Sequence, residues 1–276
     1  MPQIAAVSPG LVRHDRTRAN DAHVPAQHVQ KLGQFIEARL PQETAERQDA
    51  GILAQLVIGH YSSQKPQIFA GWAKLAPEGF KFSLKASRFA TNRRVLAEAG
   101  ESVERFLAQG LTELGDKLGP IVWQFATTKK CDPDDFGAFL KLLPGARDGL
   151  PLQHVVDVRH ESFRDPAFVA LCRSHDVSIV HTHSDEYPQI GDASGPVSYA
   201  RLMMTREEEA TGYPSAEIDG WVSVAKGWAK GETGTAFPLA APDDVPAAKP
   251  RDVFLFYISG AKVRAPHAAM ATIARL

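Results

Sequence analysis

Two spacings of apolar residues alternate along this chain. Short runs rich in Val, Ile, Leu and Phe predict buried strands, and stretches with apolar residues three or four apart predict helices packed by one face. The candidate strands are 53–58, 80–84, 121–125, 154–158, 177–181, 197–202 and 253–257. Between them, 66–75 places Ile68, Phe69 and Trp72 on one helical face. Residues 102–118 repeat Val103, Phe106, Leu107, Leu111, Leu114 and Leu118 at helical spacing. Asp132-Pro133 and Asp165-Pro166 open two more helices. The Asp accepts from free first-turn amides, and Pro tolerates the first position because its missing N–H would be unpaired there anyway. Their apolar stripes are Phe136, Phe139, Leu140 and Leu143, then Phe168, Val169, Leu171 and Cys172. Ser215 is placed to cap a helix with Ile218, Trp221, Val222, Ala225 and Trp228 inward, and 266–276 reads as the last helix.

At the other end of the chain the pattern is weaker. Val29, Leu32, Phe35, Ile36 and Leu40 give 29–48 a helical face that Pro41 ends or kinks. Residues 1–28 have no clear period and predict a loop or a poorly structured arm. The expected organisation is therefore an arm over 1–28 and a single domain over 29–276. Residues 183–196 and the Pro-rich 238–251 read as loops. Strands alternating with helices imply a parallel sheet covered by helices, and seven or eight such units in about 250 residues predict a TIM-barrel-like (β/α) barrel. A doubly wound open sheet is the second choice.

Composition narrows the function classes. Hydrophobic residues make up 44% and charged residues 23%, which is a globular balance. Net charge is −1, so no whole-protein basic field draws nucleic acid or anionic lipid. Cys131 and Cys172 lack the spacing of a metal knuckle or redox pair and read as free thiols in a reducing compartment. No apolar run reaches the roughly 18 residues of a membrane span, so a cytoplasmic protein without a membrane partner is expected. No Gly-x-Gly-x-x-Gly follows the first strand, which speaks against a nucleotide cofactor.

In a barrel the carboxyl ends of the strands converge on one mouth, where chemistry sits. Those ends carry His60 and Tyr61; Lys85 and Arg88; Gln124; Asp157, Arg159 and His160; His181 and His183; Arg201; Lys262 and Arg264. Such a cationic set suits a phosphate or carboxylate, so a small anionic ligand is the expected partner. Asp157 and Arg159 lie two apart on a strand, hence on one face, and are placed to pair. Either a structural ion pair or a site follows from that spacing. His160 is a candidate general base, oriented by Asp157, although a lone loop His is more often simply exposed. His181-x-His183 puts two imidazoles on one face, as some metal sites do. Two ligands do not hold a divalent metal; a third would have to come from Asp185, Glu186, His160 or Asp157. Two polar strand-end histidines are the plainer reading. Glu207-Glu208-Glu209 reads as a solvated run, Trp123, Trp221 and Trp228 as packing, and Ser87 and Ser162 lack a nucleophile elbow.

Several motifs then come in a familiar order. They are Phe69-x-x-Trp72, Pro77-Glu78-Gly79-Phe80-Lys81-Phe82, Lys85-Ala86-Ser87-Arg88, Gly119-Pro120-Ile121-Val122-Trp123-Gln124, Asp157-Val158-Arg159-His160-x-Ser162-Phe163 and Tyr199-Ala200-Arg201-Leu202. Over about residues 53–276 the chain resembles the domain of unknown function 72 family, also called YecE-like. The resemblance implies a TIM-barrel-like fold, similar to the endonuclease IV and xylose isomerase-like barrels, and no established activity. This chain departs from the family's pattern. Residues 1–30 lack the opening Gly-Thr-Ser-Gly-Trp strand, and Gln55 and Val57 stand where Glu-x-Asn is usual. Thr91-Asn92 replaces Thr-His, Met203 replaces a His, and Ile258-Ser259-Gly260 replaces a paired Asn. The resemblance thus implies a divergent member with an atypical or missing first strand. Lys85, Arg88, Gln124, Asp157, Arg159, His160, Tyr199 and Arg201 persist at its mouth. Three functions stay open: an enzyme on an anionic substrate, a nucleic-acid-binding or processing barrel by analogy of fold, and a non-catalytic binding protein.

Overall fold

The first strand in sequence lies beside the last. The structure is a computed structural model that describes residues 4–7, 64–234 and 236–276. Ile4–Val7 forms β1 and pairs in parallel with Asp252–Tyr257, which is β9. This corrects the expectation of an irregular arm, and of a missing first strand, at those four residues. The expected helix over 29–48, the strand over 53–58 and the mouth candidates His60 and Tyr61 lie outside the described residues.

From residue 64 onward, helices and strands mostly alternate. The order is α1 (Pro66–Leu75), β2 (Phe82–Lys85), the short α2 (Arg88–Thr91), α3 (Gly100–Leu107) and β3 (Leu118–Gln124). Then come α4 (Pro133–Leu140), a hairpin of β4 (Ala146–Arg147) and β5 (Leu150–Pro151), and β6 (His154–Asp157). They are followed by α5 (Pro166–Ser174), β7 (Ser178–His183), β8 (Val197–Leu202), α6 (Ser215–Lys230), β9 and α7 (Ala265–Ile273). The sheet order is β1-β9-β8-β7-β6-β3-β2, and every pairing within it is parallel.

Local chemistry accounts for most of these boundaries. Asp132 accepts from the amides of Asp134 and Asp135, and Asp165 accepts from Ala167, as their sequence positions predict. Ser215 does not cap α6. Pro214 holds the cap position, and Ser215 Oγ instead accepts from Arg275 Nη2. The expected helix over 102–118 is two pieces. The chain breaks at Gly110, in the left-handed region at φ 86°, and resumes as a 3-10 segment over Leu111–Lys117. A Cβ on Gly110 would stand 2.7 Å from the Pro66 side chain, so α1 packs where only a glycine leaves room. The hairpin is an addition to the sequence reading; Asp148 and Gly149, both at positive φ, form its two-residue turn.

Apolar residues cover both faces of the sheet, as a parallel sheet requires. Outward, Ile121 and Trp123 of β3 and Phe125 just after it pack on Phe106, Phe136 and Phe139. Ala200, Leu202, Val253, Leu255 and Tyr257 do the same against α6 and α7. Inward, Val122, Val155, Val180, Val197, Tyr199, Phe254, Phe256 and Ile258 make a separate cluster. The sheet curls around that cluster. β2 and β8 are four strand spacings apart, which is about 19 Å on a flat sheet, yet Ser83 Oγ and Tyr199 Oη meet at 3.1 Å. With helices outside a curled parallel sheet, this is a TIM-barrel-like α/β arrangement.

Candidate functional site

Alternation along the strands decides which side chains line the interior. Ser83 and Lys85 point in from β2, Val122 and Gln124 from β3, Val155 and Asp157 from β6, Val180 and Thr182 from β7, and Tyr199 and Arg201 from β8. The last member of each pair lies nearest the carboxyl end. The register sets Gln124 beside Asp157 and Thr182 beside Arg201. A polar layer of Lys85, Gln124, Asp157, Thr182 and Arg201 therefore rests on an apolar floor.

Asp157 is the centre of that layer, at 0% exposure. Arg159 Nε donates to its Oδ1 at 3.3 Å and Nη2 to its Oδ2 at 3.2 Å. Arg201 Nη1 also donates to Oδ2, and reaches Gln124 Oε1 at 3.0 Å. Burial alone would raise the Asp157 carboxyl; the charges of Arg201 and Arg159 overcome it and hold the group below its ordinary range. The expected Asp157–Arg159 pair is thus present, with Arg201 as its second cation. Lys85 feels the same charges. Burial first, then Arg201 and Arg159, lower its amine to about 7, against a rise from Asp157. An ammonium beside two guanidinium groups sheds its proton more easily than one in water.

Tyr187 is a contributor that sequence reasoning missed. It sits in the stretch between β7 and β8 that read as irregular loop, and the Arg159 guanidinium lies 4.3 Å from its ring centroid. The only signal was an aromatic directly before Pro188 in a loop after a strand end, which many ordinary turns share.

Other candidates fall elsewhere. His181 and His183 do not join the mouth; both face the helices. His181 stacks on Trp228 at 4.7 Å and its Nδ1 bonds Ile190 O at 2.8 Å, while His183 meets Trp221 at 4.9 Å. Desolvation lowers the pKa of both imidazoles. Neither adjoins Asp157, and among the described residues no three His, Cys, Asp or Glu side chains gather to hold a metal. His160 is not oriented by Asp157. Its Nδ1 accepts from the Ser162 amide at 3.1 Å and lies 2.8 Å from Ser162 Oγ, so the ring caps the short turn of Glu161–Phe163. Tyr199 belongs to the floor: it is fully buried, bonded to Ser83 and packed at a tilt against Phe256 at 4.5 Å. Arg88 is exposed at the start of α2, and Lys262 is exposed after β9. Arg264 Nε is held by Glu207 O at 2.9 Å. Cys131 and Cys172 are free thiols, with burial pushing the first up to about 11.

A curled parallel sheet, helices on its outer face and a buried ionic layer at its carboxyl end define a barrel-like α/β protein. The family model described as "Protein of unknown function DUF72" matches residues 58–276, and the chain belongs to that family. Solved structures agree on the fold. A DUF72 family protein from Enterococcus faecalis V583 superposes with a TM-score of 0.62 at 14% identity, covering 99% of this chain and 98% of that one. A DUF72 family protein from Thermotoga maritima MSB8 gives 0.57 at 18% identity, covering 81% and 84%. No curated protein matches the chain. Among the described residues no helix is long and apolar enough to cross a membrane.

Proposed function

We propose that residues 29–276, together with β1, form one TIM barrel whose mouth binds a small anion bearing a carboxylate or phosphate, with Arg201 as its principal contact and Arg159 and Lys85 beside it. One observation carries this reading. Asp157 and Gln124 anchor Arg201 through a single nitrogen, Nη1. Its Nε and Nη2 donate to none of the described residues, and the side chain keeps 13% of its exposure. A guanidinium fixed at one corner and open at the other two is arranged to receive a planar or tetrahedral oxyanion by two parallel hydrogen bonds. The fixed orientation also reduces the side-chain entropy lost on binding. Arg159 is spent differently, with two nitrogens on Asp157 and its face over Tyr187. It adds charge to the pocket and rigidity to Asp157.

Isothermal calorimetry with inorganic phosphate and with pyruvate tests the proposal. Wild-type protein is expected to bind one of them, more weakly as salt is raised. Arg201→Gln is expected to cost at least about tenfold in affinity, or roughly 1.4 kcal/mol. The exposed Arg94→Gln serves as a control with unchanged binding. No binding of either anion by folded wild-type protein, or equal binding by Arg201→Gln, would overturn the reading.

A further inference from the structure

The anion pocket contains an amine, and its placement has a chemical consequence. Lys85 ends β2, one residue pair above Ser83, on the inner face. Backbone pairing fixes its strand beside β3, with Lys85 against Val122. Facing its side chain across the polar layer are Asp157 and Arg159 of β6 and its following loop, and Arg201 of β8; β3 presents the uncharged Gln124. Lys85 is neither sealed in the core nor open like Lys130 and Lys262, which are exposed. We infer that Lys85 is a covalent site, its amine forming a Schiff base with an aldehyde or ketone whose carboxylate or phosphate is held by Arg201. This rests on the anion-binding reading of the same pocket and names its substrate class as an anionic carbonyl compound.

Three features support it. A nucleophilic amine must be neutral at working pH, and Lys85 is brought to about 7 by burial and its two guanidinium neighbours. An iminium product keeps the positive charge of a protonated lysine; Asp157 is shared by two guanidinium groups, and the bound substrate's own carboxylate or phosphate supplies the further negative charge that offsets it. The anion contact and the amine belong to one layer, so one small molecule can span both.

The step balances without an oxidant. The nitrogen lone pair adds to the carbonyl carbon, and the C=O π pair moves to oxygen, which takes a proton. Nitrogen loses one proton to give the neutral carbinolamine; its hydroxyl takes a second proton from solvent and leaves as water as the nitrogen lone pair forms the C=N bond of the iminium.

Incubation of the full chain with pyruvate or dihydroxyacetone phosphate at pH 7.5, then borohydride reduction and peptide mass spectrometry, tests the inference. Reduced adduct is expected on the Lys85 peptide at least about tenfold above the peptides of the exposed Lys130 and Lys262. Excess inorganic phosphate is expected to suppress it. Lys85→Arg is expected to abolish that adduct while Lys130→Arg leaves it intact. If calorimetry records anion binding but Lys85 is labelled no more than the exposed lysines, the Schiff-base inference falls and the anion reading stands. If neither anion binds, both fall. Site-resolved labelling of wild-type protein decides these outcomes even where Lys85→Arg fails to fold.

Discussion

Asp157 holds together two arginines, one in the loop after β6 and one on β8, and its removal leaves both without their partner in a largely buried layer. Deleting one member of a buried ionic network typically costs about 3–5 kcal/mol, more than the network contributes when intact. Asp157→Asn is expected to lower stability by about 3 kcal/mol at pH 7 in a denaturant melt. The pH dependence has a definite sign. The folded carboxyl titrates below its unfolded value, so its stabilisation is complete above the usual carboxylate pKa and is lost as pH falls through the lower folded value. Wild-type and Asp157→Asn stabilities should therefore converge at acid pH; a gap that stays constant down to pH 2 would contradict the assignment. At this scale the sequence was partly legible. Asp157 and Arg159 share a face by two-residue spacing, but nothing local links either to Arg201, 42 residues beyond Arg159, because that contact exists only once the sheet curls. His181 and His183 were misplaced for a related reason. β7 is buried on both faces and carries polar residues on each, so parity is readable from the sequence and direction is not.

The helices were legible where a cap or a proline marked them, and least so where a glycine interrupted an unbroken apolar stripe. Asp132-Pro133 and Asp165-Pro166 set the starts of α4 and α5 at the expected residues. Between 102 and 118 the apolar spacing continues through Gly110, which bends the chain because Pro66 of α1 occupies the space beside it. Gly110→Ala combines a left-handed backbone with a steric clash. It is expected to destabilise by about 1–3 kcal/mol, read as a lower thermal midpoint with an unchanged secondary-structure spectrum. A neutral effect would mean that α1 shifts without cost. The polar layer depends on this packing only indirectly, since α1 and α3 cover the outer face of β2 and β3, whose inner faces carry Lys85 and Gln124.

The fold of the whole molecule was the most legible level, because it rests on repetition rather than on any single residue. Alternating strands and helices led to a covered parallel sheet, and its order of pairing follows the chain from β2 through to β9. The exception is β1. Its four residues end just before Ser8-Pro9-Gly10 and carry too little periodicity to declare a strand. Their partner lies at the far end of the chain. Removing residues 1–7 would leave one edge of β9 with unpaired backbone groups, a template for pairing with another chain. The truncated protein is expected to melt lower and to scatter more light on warming than the full chain; identical behaviour would show that β1 contributes nothing to the sheet.

The pairing of β1 with β9 also has a meaning in time. Ile4 meets Val253, about 250 residues later. A ribosome adding about 5–20 residues per second needs roughly 12–50 s to cover that distance, long after local helices have formed. For that interval the first strand waits for β9, its one partner among the described residues. During synthesis the β1–β9 edge can therefore close only after every strand from β2 to β8 has been made.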